Sequence, residues 1–125
     1  LILDIEEDKI AKYIDKVANN LTRIKFDKYE NVGLVYAENY TSELGNTICN
    51  NNPDLDFVMI INLGGKSISF RGTRDDIDLG ADIASKFGGG GHPKAAGARI
   101  YDSVKNTVTN TILLMNSLGG EVTHI

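Results

Sequence analysis

Ile10, Ile14, Val17, Leu21 and Ile24 recur at intervals of four and three, with Lys12, Asp15, Lys16 and Asn20 elsewhere on the wheel. This spacing predicts an amphipathic helix over about residues 5–24. Asp4 and Glu7 stand three apart, the spacing of a capping box. Val32-Gly33-Leu34-Val35-Tyr36-Ala37 reads as a buried strand. A short helix over about 42–50 follows, capped by Thr41 or Ser42 and stopped by Asn50-Asn51-Asn52-Pro53. Phe57-Val58-Met59-Ile60-Ile61 is a continuous apolar run, and residues 66–71 alternate strictly around a Gly64-Gly65 turn, so the pair reads as a hairpin. On its second strand Ile68 and Phe70 face one way, and Ser67, Ser69 and Arg71 the other. Asp78 is placed to cap a helix over 79–87 with Leu79, Ile83, Ala84 and Phe87 inward.

Four glycines, Gly88 to Gly91, and then His92-Pro93-Lys94 interrupt the chain before a strand of small residues from Ala95 to Tyr101. Asp102 or Ser103 opens a last helix with Val104, Val108, Ile112 and Met115 inward, ended by Gly119-Gly120, and a short strand at 121–125 is an optional final element. The order α-β-α-β-β-α-β-α predicts a single α/β domain with a mixed β-sheet of about four to five strands flanked by helices.

The 125 residues are 42% hydrophobic and 24% charged, which suits one globular core and excludes a disordered tail, a collagen-like repeat or a coiled coil. No run approaches the ~18 to 20 apolar residues that cross a bilayer. The opening Leu1-Ile2-Leu3-Asp4 has neither a signal-peptide pattern nor a methionine, and the expectation is a chain excised from something longer. The lone Cys49 has no internal disulfide partner and no base beside it in the pattern, so a small core residue in a reducing, cytoplasmic setting is expected. Charge divides unevenly. Residues 1–62 carry six basic and eleven acidic groups, and residues 63–125 seven and six, for a total of −4. No global basic field gathers duplex nucleic acid, so an anionic ligand requires a local pocket in the second half.

One glycine suffices to end a helix. Each further one costs roughly 0.5–1 kcal/mol of order relative to alanine in regular structure. What a run of four offers is exposed N–H groups, positive φ and close approach of a ligand. The phosphate-loop pattern fails here because Ala95, not a hydroxyl residue, follows Lys94. The dinucleotide fingerprint fails because the polarity is helix, glycines, strand. A helix C-terminus repels phosphate, so anion affinity rests on loop N–H groups and on Arg71, His92, Lys94 and Arg99. The competing reading is a tight loop whose small residues only let a helix pack closely.

Gly88-Gly89-Gly90-Gly91-His92-Pro93-Lys94-Ala95-Ala96-Gly97-Ala98, preceded by Ser69-Phe70-Arg71, strongly resembles the DHHA1 domain, the C-terminal substrate-binding domain of the DHH phosphoesterases. The resemblance covers roughly residues 30–118. It implies a lid facing a DHH domain, with residues 1–29 as a connector helix from that missing N-terminal catalytic domain and residues 30–125 as the DHHA1-like domain. Members of the family include nano-RNases, adenosine bisphosphate phosphatases, RecJ-type exonucleases and cyclic-dinucleotide phosphodiesterases. By the same resemblance Arg71, Gly89, Gly90, Gly91, His92 and Lys94 are the candidate substrate-binding residues, and the ligand is a nucleotide or short single-stranded oligonucleotide. Many relatives carry a serine after the arginine where Gly72 stands, which leaves a neighbouring hydroxyl contact in question.

Two-metal hydrolysis needs a cluster of Asp and His ligands. This chain has only His92 and His124, and Asp75, Asp76, Asp78 and Asp82 read as caps and a solvated face, with Gly80 breaking an EF-hand pattern. No cofactor and no catalytic residue is therefore expected in this chain. Mn²⁺ or Mg²⁺ is expected in the missing DHH domain, and the chain alone is expected to be inactive. His124 is expected at the surface. Tyr36, Tyr40 and Phe70 are candidates for base stacking, with sheet-core packing the expected role of each. A stand-alone nucleotide-sensing module and a structural interaction domain are the alternative functions.

Overall fold

The computed structural model describes residues 2–100, with side chains from residue 7 onward. The expected final helix, the optional strand after it and His124 lie outside the described residues. The elements run α1 (Ile2–Ala18), β1 (Thr22–Phe26), β2 (Tyr29–Tyr36), α2 (Thr41–Asn51), β3 (Phe57–Asn62), β4 (Ser67–Arg71), a helical segment α3 (a π turn at Leu79–Ile83 running into a 3₁₀ turn at Ala84–Phe87), β5 (Gly90–His92) and β6 (Ala95–Arg99). The six strands form one mixed sheet in the order β1-β2-β3-β4-β6-β5. Only β2 and β3 pair in parallel, and α2 is the crossover between them.

Period-two alternation divides the core into two layers. Val32, Leu34, Phe57, Met59, Ile61, Ile68, Phe70, Ala96 and Ala98 point to one face, where Leu79, Ile83, Ala84 and Phe87 of α3 cover them. All four residues of the expected inner stripe are buried. Asp78 caps the segment as expected, its Oδ1 accepting from the Ala81 N–H at 3.0 Å. On the other face Val35, Val58 and Ile60 meet Ile14 of α1 and Leu44, Ile48 and Cys49 of α2. Burial pushes the Cys49 thiol above its ordinary value, so it is a protonated core group at neutral pH.

Several boundaries differ from the sequence pattern. The first helix stops at Ala18, not near residue 24, and residues 22–26 are a strand. Leu21 and Ile24 continue a helical spacing, but Ile24 and Phe26 also alternate with Arg23 and Lys25. Asn20 closes the helix by donating its side-chain amide to the Lys16 carbonyl at 3.1 Å. Pairing with β2 then buries Phe26 against Phe57 and Phe87. Asp4 lies inside α1, not at its cap. Neither Thr41 nor Ser42 caps α2. Tyr40 does so in the left-handed conformation (φ 57°), without a side-chain bond, and its ring sits edge-on to Tyr13 at 5.8 Å.

The β3–β4 connection is also longer than expected, with four residues between Asn62 and Ser67. Its left-handed residue is Lys66 (φ 54°), not either glycine, and the Asn62 side chain accepts from the Gly65 N–H at 2.7 Å. Phe70 is fully buried as expected. Tyr36 and Tyr40 are 58% and 42% exposed, so they are not core residues. No helix among the described residues is long and apolar enough to cross a membrane.

Candidate functional site on the open sheet face

Helices α1 and α2 cover the β1–β3 half of their face, and α2 reaches β4 where Gly45 meets Arg71. Among the described residues neither helix extends over β6 and β5. Register decides which side chains share that surface. Arg71 pairs with Ala95 and Ala95 with His92, so the three form one row across three strands. Two strand spacings put the Arg71 and His92 backbones about 9.5 Å apart, with only a methyl group between them. The next row is Ser69, Gly97 and Gly90, and beyond it Ser67 pairs with Arg99. A floor of small residues is thus edged by two arginines, a histidine and two hydroxyls.

Among the described residues no carboxylate pairs with these two arginines or the histidine, although the chain is acidic overall. Arg23 is held by Asp54 at 2.7 Å, Arg74 forks onto Asp76 and Asp56, Lys86 pairs with Asp27 at 2.7 Å, and Lys94 with Asp75 at 2.7 Å. The carboxyls of Asp76, Asp54 and Asp27 are drawn below the usual carboxylate range, each chiefly by the hydrogen bond from its cation. Arg71, His92 and Arg99, by contrast, make no side-chain hydrogen bond or ion pair with any described residue. The Arg71 Nε is buried without an acceptor. A buried unmet donor on an arginine costs free energy, and an incoming oxyanion would relieve the guanidinium's lack of partners.

The glycine run divides into two parts. Gly88 is a left-handed helix stop (φ 79°), and its N–H donates to the Ser85 carbonyl while that of Gly89 donates to Ala84. Those two amides are engaged internally, so they are not ligand donors. A side chain on Gly89 would run into the Gly97 carbonyl, which makes this glycine one of close approach. Residues 90–92, expected as part of an irregular interruption, instead form β5, the last strand of the sheet among the described residues, with Gly80 of α3 packed closely against Gly91. Around Gly90 there is nothing within 4 Å of a Cβ position, and Gly91 takes φ 141°. Pro93 and Lys94 make the turn into β6, anchored by Leu79 N–H to the Pro93 carbonyl at 2.8 Å and Gly72 N–H to Lys94 at 3.1 Å. A Cβ on Gly72 would face Leu79 and Phe57, so a serine there would place its hydroxyl away from the Arg71 face.

Gly45 is the residue the sequence reading missed. It sits in the interior of α2, where a glycine costs ~1 kcal/mol relative to alanine. A Cβ at this position would stand 2.5 Å from Arg71 Cγ and 2.8 Å from its Cβ. The absent side chain is the groove in which the Arg71 stem lies, and a glycine inside an otherwise regular helix was the signal available beforehand. Gly45→Ala is expected to lower affinity for a phosphorylated nucleotide roughly three- to tenfold, the size of coupling between touching residues. The melting temperature is expected to fall as well, because a Cβ this close to the base of the Arg71 side chain must displace Arg71 or α2, a cost that outweighs alanine's helix preference. Titration calorimetry beside a thermal melt checks this, and an unchanged affinity would remove Gly45 from the site.

An open hollow of about 320 Å³ lies at the Ser67 end of this face, lined by Ser67, Ser69, Gly88, Gly89, Gly97 and Arg99 among others. A larger one of about 460 Å³ lies between α1 and the end of β2. Its lining holds no arginine or histidine and one charge of each sign, Lys16 and Glu38, so it lacks the chemistry of the open face. No three His, Cys, Asp or Glu side chains converge among the described residues. These residues do not fit a two-cation centre.

No protein-family model matches the chain. Oligoribonuclease NrnB of Bacillus subtilis (strain 168) is 42% identical over 103 residues, which are 82% of this chain and 25% of that protein. The chain thus spans about a quarter of the length of this relative. Among solved structures, an uncharacterized protein from Helicobacter pylori G27 is similar with a TM-score of 0.56 and 23% identity, over 77% of this chain and 28% of that one. An exopolyphosphatase-related protein from Bacteroides fragilis is similar with a TM-score of 0.51 and 18% identity, over 86% and 33%. The two structural likenesses establish the shared fold.

Proposed function

The chain belongs to the DHH phosphoesterase family as a DHHA1-type domain, and from that premise we propose that its open β4-β6-β5 face binds the phosphate of a nucleotide or short single-stranded oligonucleotide. The observation that carries this reading is the row of Arg71 and His92, unpaired with any described residue, across the small floor of Ala95. The Arg71 fork takes two oxygens of a phosphate, the His92 imidazole donates a third hydrogen bond, and the side-chain-free Gly90 lets the ligand lie against the strand.

In the whole protein this grip holds the scissile ester in place, a positioning contribution that lowers the entropy cost of reaction. The hydrolytic chemistry belongs to a separate DHH domain carrying Mn²⁺ or Mg²⁺, and the present chain contributes binding and orientation. The family relationship and the name of the 42% identical relative support an oligonucleotide over other phosphate esters.

Adenosine monophosphate titrated into the ¹⁵N-labelled chain should shift the amide signals of residues 90–92 and leave Gly88 and Gly89 less affected, since their N–H groups are committed to Ser85 and Ala84. A face that does not respond to a nucleotide would favour the alternative, a structural interaction domain whose glycines serve only the close approach of β5 and α3 to their neighbours.

A further inference from the structure

We infer that the Arg99 end of the same face is a second, separate anion subsite, which takes a further phosphate of an oligonucleotide whose first phosphate is held at Arg71 and His92. This rests on the reading above. Four observations carry it.

Arg99 is four residues from Ala95 along β6, about 13 Å in a strand. That is farther than one phosphate can bridge but within the reach of a short single strand. Its register with Ser67 puts it on the Arg71 face, since Ala96 and Ala98 between these positions point into the opposite core. The hollow of about 320 Å³ opens there, lined by Ser67, Ser69, Gly88, Gly89, Gly97 and Arg99 among others. Finally, Arg99 and Arg71 are the two of the chain's four arginines without a carboxylate among the described residues, whereas Arg23 and Arg74 are both forked onto aspartates.

The strip between the two arginines is Ala95, Gly97, Ser69 and Gly90, with no charged side chain to interrupt it. A sugar–phosphate backbone can lie along it with hydroxyls available from Ser67 and Ser69. The ligand class that satisfies both ends is a single-stranded oligonucleotide rather than a mononucleotide.

The test compares two probes on the full 125-residue chain, adenosine monophosphate and a 5′-phosphorylated adenylate tetramer, between 50 and 200 mM salt. Arg99→Ala is expected to weaken the tetramer about tenfold and leave the monophosphate within about twofold. The slope of log affinity against log salt for the tetramer should fall by about 0.7, the loss of one phosphate contact on a single strand. Arg99→Lys should restore the slope, which guards against a folding defect. If Arg99→Ala leaves the tetramer and its slope unchanged, or weakens both probes equally, the second subsite is overturned while the first stands. If Arg71→Ala leaves both probes unchanged, the reading of the first site fails instead. If neither probe binds the unaltered chain, both fall together.

Discussion

Arg71→Ala is expected to weaken binding of a phosphorylated nucleotide by about ten- to a hundredfold, the worth of a charge-assisted hydrogen bond made from a prearranged donor. Lys94→Ala is expected to cost about twofold. Both residues are basic, and both flank β6 near Ala95, so charge counting alone would rank them together. Their surroundings separate them. The Arg71 stem is seated against Gly45 of α2, and its Nε is buried and unpartnered among the described residues. Lys94 is a turn residue already neutralised by Asp75 at 2.7 Å, in a pair exposed on both sides. An incoming phosphate therefore meets a free, oriented fork at one position and must compete with a carboxylate at the other. Calorimetric titration of the two variants decides the ranking, and equal affinities would count against Arg71 as the principal anion contact.

Phe57→Ala is the substitution expected to cost the most stability, about 3–5 kcal/mol. Phe57 is fully buried on β3 at the centre of the sheet, with ring centroids 6.0 Å from Phe26, 5.3 Å from Tyr29 and 6.5 Å from Phe70. Three aromatic neighbours drawn from three different strands cannot all collapse into the space it would leave, so the cavity would persist. A domain of this size has about 5–15 kcal/mol of stability in total, which makes the loss a large part of the whole. Urea unfolding followed by circular dichroism measures it, and a loss below about 1 kcal/mol would mean that the aromatic cluster is not the structural centre. Tyr36→Ala at an exposed position on neighbouring β2 is the control and should change stability little.

The local elements were legible where one period dominated. The apolar run of β3 followed by the strict alternation of β4 reads as paired strands, and Leu79, Ile83, Ala84 and Phe87 read as an inward helical stripe, which the structure forms as a π turn and a 3₁₀ turn. Residues 21–26 were ambiguous because Leu21 and Ile24 fit a helical spacing while Ile24 and Phe26 fit a strand. The outcome turned on what β2 and Phe57 offered to Phe26 from elsewhere in the chain. The glycine run was legible only in part, since residues 90–92 form a strand where a loop was expected. Its composition says that side chains are excluded, but whether the N–H groups stay open or are taken by Ser85, Ala84 and a sheet edge is settled by neighbours.

Composition, period and motif by themselves determined the class of the domain and most of its core, and they named Arg71, His92, Lys94 and Arg99 as candidate anion contacts without ranking them by their surroundings. Those properties reside in short stretches of chain, where side-chain spacing and backbone preference act directly. The tertiary structure alone decided that β4 and β5 flank β6. That order brings Arg71, His92 and Arg99 onto one face of the sheet and leaves Lys94 paired with Asp75. Strand order and register arise from contacts between segments far apart in sequence, and a cation's availability depends on which carboxylates those contacts bring to it.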